Sequence, residues 1–144
     1  MGTSYSAIPM DARAANWLQS LDLPAPSSFG TPATEIQLRA ALAAITDFTV
    51  NVRQTPDGWD AEISGSAHDG SHAHSTLWVK TQTDGTCTYH FHKGWPEIAL
   101  RVTHEIACLA GPQLFVPHET AVPVVVDPTK PFDDTLQAFF ASLK

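Results

Sequence analysis

The sequence predicts an α+β domain, and three observations carry that reading. Apolar residues recur at every second position through much of the stretch from Phe48 to His92, they recur at three- and four-residue spacing on either side of it, and turn formers separate the segments. The expected architecture is an antiparallel four-stranded meander, at about residues 48–92, covered by helices and followed by a C-terminal helix. With 144 residues and 43% apolar content, the chain suffices for a single domain, 1–144, with its own core.

Taken in order, Tyr5 to Ile8 reads as a short first strand. Asp11 then caps a helix with Ala14, Trp17, Leu18 and Leu21 on one stripe, ending near Leu23. Residues 24–30, rich in proline and serine, form a surface loop, and Thr31-Pro32 reads as the N-cap and first position of a second helix with the stripe Ile36, Leu38, Leu42 and Ile45. From Phe48 the period is two. Phe48, Val50 and Val52 alternate with polar residues, Thr55-Pro56-Asp57-Gly58 turns the chain, and Trp59, Ala61 and Ile63 resume the alternation. Two further strands, Ser75 to Thr81 and Thr86 to His92, meet across Thr83-Asp84-Gly85.

Gly94-Trp95-Pro96-Glu97 opens a third helix, with Trp95 placed to staple it to the sheet and Ile98, Val102, Ile106 and Leu109 as its buried stripe. Gly111-Pro112 stops it. Short strands at Leu114 to Val116 and Val122 to Val126 precede a last helix within residues 128–144, built around Phe132, Leu136, Phe139, Phe140 and Leu143.

Charge narrows the partners. The formal net charge of −7, with only eight Lys and Arg, opposes binding to a phosphate backbone, so no nucleic-acid partner is expected. An electropositive protein would be attracted instead. No run approaches the roughly 20 apolar residues that span a bilayer, and the first residues lack a charged and then apolar leader, so the expectation is no membrane and a cytoplasmic address. Cys87 and Cys108 sit in apolar patterns and read as small buried hydrophobes in a reducing compartment.

Histidine is the chain's distinctive residue. Five of its seven, His68, His72, His74, His90 and His92, crowd into one stretch, the last four as two His-x-His pairs. Strand alternation that turns Cys87, Tyr89 and Phe91 inward turns His90 and His92 outward, onto a face shared with Arg53, Glu62 and Trp78. Those five residues are the expected binding face, because tryptophan and arginine tend to carry interface energy. Its opposite is a face that solvent or the N-terminal helices cover. His72, His74, His90 and His92 are the candidate ligands of a zinc site, with His72 and His74 read as loop residues. His104 is expected to face solvent. There is no Gly-x-Ser-x-Gly elbow, no phosphate loop and no cysteine beside a cation, so nothing names a catalytic residue, and no cofactor beyond a possible zinc is expected.

Two resemblances attach to particular residues. His90-Phe91-His92 with Glu97 resembles the first cupin motif, which would imply a metal in a small β-barrel; Glu97 departs from it by starting a helical stretch. Gly2-Thr3-Ser4-Tyr5-Ser6, Thr76-Leu77-Trp78-Val79 and Phe91-His92-Lys93-Gly94-Trp95-Pro96-Glu97 together resemble a set of small, acidic, single-domain bacterial proteins of unassigned activity. In size and acidity the chain is also similar to immunity proteins that neutralise toxins. That similarity implies a non-catalytic module that occludes a toxin domain; the alternative is a metal-binding protein or metal-dependent enzyme using the His-x-His pairs.

Overall fold

One antiparallel sheet of seven strands organises the chain, its strands lying side by side in the order 49–55, 58–66, 72–81, 87–94, 3–9, 113–117 and 124–126. The structure is a computed structural model and describes residues 3–142 except positions 57, 68, 120 and 121. Its elements are β1 (Thr3–Pro9), α1 (Ala12–Ser20), α2 (Glu35–Ala44), β2 (Thr49–Thr55), β3 (Gly58–Ser66), β4 (His72–Thr81), β5 (Cys87–Gly94), α3 (Pro96–Ala110), β6 (Gln113–Pro117), β7 (Val124–Val126) and α4 (Phe132–Ser142). The fold is α+β with a C-terminal helix.

The expected four-stranded meander is present as β2 to β5, but it is one part of a larger sheet. β1 inserts between β5 and β6, pairing Ser6 with His90 on one side and with Val116 on the other. Both neighbours are more than 80 residues away along the chain, a pairing that local periodicity does not encode.

Alternation then assigns the two faces. Tyr5, Ala7, Trp59, Ala61, Ile63, Leu77, Val79, Cys87, Tyr89, Phe91 and Phe115 turn to one side and are buried beneath α2, α3 and α4. On the other side Leu114, Val116 and Val125 meet Met10, Ala14, Trp17 and Leu18, so α1 covers only the β6–β7 end. The sheet is therefore sandwiched between helices at that end and bare on its outer face at β2 to β5. α1 begins as expected, with the Asp11 side chain accepting from the Ala14 N–H at 2.9 Å, but it ends at Ser20. There Asp22 takes a positive φ of 57°, turning the chain and leaving Leu21 exposed instead of on the stripe.

Other expectations are corrected. α2 starts at Glu35, not Pro32, because Thr34 and Gln37 form a reciprocal capping box, with bonds of 3.0 and 3.1 Å. Residues 31–33 instead run along the sheet, with the Thr31 N–H bonded to Ala110 O and the Ala33 carbonyl accepting from Cys87. Ile36 consequently faces water, and Leu38, Ala41 and Leu42 form the buried stripe, continued by Ile45 just past the helix end.

In α3 the buried faces centre on Ile98, Ala99, Val102, Thr103, Ile106 and Ala107, which leaves Leu109 and Cys108 exposed; only Cys87 is a buried thiol. His104 is buried, not solvent-facing: its Nε2 lies 3.0 Å from the Lys130 carbonyl and its ring lies edge-on to Phe132. Val52 belongs to the inward face by register yet is exposed, since β2 is the outermost strand. Trp95 is the N-cap residue of α3 and is half-buried against the core. Leu143, Asp57, His68 and Gly2 lie outside the described residues.

Candidate functional site

The bare face of β2 to β5 holds the candidate residues, and the register brings all five together. Asp60 of β3 pairs with Arg53 of β2 and with Trp78 of β4, and Trp78 pairs with His90 of β5. One step along, Asn51, Glu62, Thr76 and His92 make the next row. Since side chains two apart on a strand share a face, these rows form one continuous surface. A depression of about 640 Å³ lies over it, lined by Arg53, Asp60, Glu62, Trp78, Lys80, Thr88, His90 and His92 among others.

Trp78 is the centre. It remains 45% exposed, while the His92 ring stacks on it at 5.2 Å and 19° and the His90 ring meets it edge-on at 5.1 Å. The two imidazoles thus restrain the indole, forming a preorganised aromatic platform. Burial holds the His90 imidazolium below its ordinary pKa range, and the nearby His118 and His92 push it the same way. Near neutral pH the platform is therefore uncharged at His90.

Beside it lies an ionic cluster. Arg53 donates to Asp60 through Nε at 2.9 Å and Nη2 at 3.2 Å, and Nη2 also reaches Glu62 at 3.2 Å. The hydrogen bonds that Arg53 donates to Asp60 first, and the Asp60 charge second, raise the guanidinium pKa above its ordinary value. Glu62 additionally accepts from Thr76 Oγ1 at 3.2 Å and contacts His74 Nε2 at 2.5 Å. Each of these bonds restrains a long side chain, so the cluster presents a fixed pattern of donors and acceptors.

The four histidines of the zinc expectation all lie on strands. His72 and His74 belong to β4, not to a loop, and share its outer face with Thr76 and Trp78. His74 is engaged by Glu62, whereas His90 and His92 lean on Trp78. Among the described residues no three His, Cys, Asp or Glu side chains gather in a metal-binding group. The cupin-like Glu97 is buried in the first turn of α3, and the sheet is open, not a barrel.

Sequence reasoning missed the continuation of this face onto β1. Ser6 stands opposite His90, and its Oγ lies 2.7 Å from His118 Nε2, so the imidazole row runs His92, His90, His118. The only local signal was the alternation Ser4, Ser6, Ile8 within a short, weakly patterned segment. Among the described residues no helix is long and apolar enough to cross a membrane. The chain matches no protein-family model, no curated protein and no solved structure.

Proposed function

We propose that this chain is a non-catalytic protein-binding module whose bare sheet face docks an electropositive partner, in the manner of an immunity protein that occludes a bacterial toxin domain. The observation that carries the reading is Trp78, held half-exposed by His90 and His92 in a broad depression beside the Arg53–Asp60–Glu62 cluster. A rigid aromatic anchor with a charged rim is the composition of an interface hot spot. A net charge of −7 adds steering towards a basic partner.

Co-expression with the product of the adjacent gene is the direct test. Restoration of growth by the wild-type chain, and its loss with Trp78→Ala, supports the reading; a harmless neighbour, or rescue that survives the substitution, sinks it. The metal-dependent alternative is separated by metal analysis of protein purified without a histidine tag, where stoichiometric zinc, iron or manganese would favour it.

A further inference from the structure

We propose that the free edge of β2 pairs with β2 of a second copy of this chain, joining two sheets into one. The two edges of the sheet are built differently. β7 is three residues long and lies between Pro123 and Pro128, a short edge that resists strand addition. β2 is seven residues long, contains no proline or lysine, and among the described residues pairs with nothing but β3.

Register identifies which groups are free. The connection between β2 and β3 closes on the pair Thr55 and Gly58. A two-residue connection closes on a hydrogen-bonded pair, and antiparallel bonding alternates from there. Thr49, Asn51, Arg53 and Thr55 therefore bond to β3, while the N–H and C=O groups of Val50, Val52 and Gln54 point outward. Beneath them runs a trough of about 410 Å³ in which the apolar Leu42, Phe48, Val50 and Val52 are joined by Arg39 of α2.

The edge suits its own copy. A two-fold axis at Val52 sets Val52 against Val52 of the second copy and Val50 against Gln54, so every outward group finds a partner and the two troughs adjoin. On the bare face, Arg53 then opposes Asn51 of the copy. By the β2–β3 register that row runs Asp60, Arg53, then Asn51 and Glu62 of the copy; the two Arg53 side chains are diagonal neighbours across the axis, and each stays paired with its own Asp60 and Glu62 carboxylates, which offset the like charge. Although the whole chain carries −7, β2 itself bears one charge and it is positive. In the joined sheet both Trp78 platforms lie on one face, five strand spacings or about 24 Å apart.

Sedimentation or light scattering of the whole chain across the micromolar range tests this, with 15.6 kDa as the monomer mass. The expected result is twice that mass for wild type and the monomer mass for Val52→Lys, whose charge guards the edge. Val52→Pro, which lacks the outward N–H but spares the β3 ladder, should also give the monomer. Circular dichroism should match wild type in the Lys variant. A wild-type monomer throughout, or a dimer that persists in Val52→Lys, overturns the proposal. Trp78→Ala should leave the dimer intact; a dimer lost with Trp78→Ala would place the interface on the bare face and equally overturn it.

Discussion

Replacing Trp78 with alanine separates a platform from a core residue. A tryptophan buries at most about 250 Å². With 45% of the residue still exposed, about 140 Å² leaves water in this fold. At about 25 cal/mol per Å² that burial contributes about 3 kcal/mol, an upper bound because unfolded chains already hide part of their apolar surface. Alanine keeps its own share, so the expected loss of stability is about 2 kcal/mol. For a chain of this length the melting midpoint should fall by about 4–8 °C. Trp59→Ala is the internal standard: that ring is 2% exposed, and its loss should cost about 3–5 kcal/mol. Differential scanning calorimetry of both variants decides. If Trp78→Ala is as damaging as Trp59→Ala, the ring is core and the docking face disappears; if it is silent, the packing against His90 and His92 does not hold. Against a cognate partner the same variant should weaken binding by about 2 kcal/mol or more, roughly thirtyfold in Kd.

Three further outcomes follow from the same geometry. Trp95 is half-buried, so Trp95→Ala should cost about 2 kcal/mol by thermal melting, less than a fully buried ring would. His90 has a folded-state pKa below its ordinary value of 6.5, so the unfolded chain binds its proton more readily. Stability should therefore be constant with respect to His90 above that value and decline as pH falls through it towards the depressed one; urea midpoints at pH 7.5 and 5 should differ less in His90→Phe than in wild type. Finally, Cys108 is exposed and Cys87 buried, so a thiol reagent should label Cys108 in the native chain and Cys87 only on unfolding; equal rates would contradict the burial.

The legible parts of the fold were those written locally. The β2–β3 hairpin follows from period-two alternation around a turn, and once Tyr89 and Phe91 are inward, His90, His92, Trp78, Glu62 and Arg53 must share the other face. Cys87, Tyr89 and Phe91 are buried on the inward face for the same reason. What local pattern does not contain is lateral order. Nothing in Tyr5 to Ile8 says that this segment is a central strand, and so the serines and His118 that extend the face were invisible. His104 looked solvent-bound because its neighbours on α3 are charged, yet its burial comes from Lys130 and Phe132, more than 20 residues on. The exposed Cys108 and Leu109 reflect a helix whose buried faces are set by the sheet on one side and by α2 and α4 on others, not by one three-four stripe.

The central place of β1 has a consequence for how the molecule comes into being. Synthesis delivers this strand well before either of its partners, β5 at Cys87 and β6 at Gln113. As the chain leaves the ribosome the β2–β5 meander has all its internal pairings and still cannot join β6 and β7. β1 can pair with β5 only once Gly94 is made and with β6 only once Pro117 is made, and that second pairing is the step that unites the halves. Such late, distant pairing makes for slow closure. It also leaves a slot shaped for one short segment: a chain beginning after Pro9 should open a cleft between β5 and β6, and a separate peptide carrying residues 3–9 should fill it, turning the molecule's first strand into a detachable key.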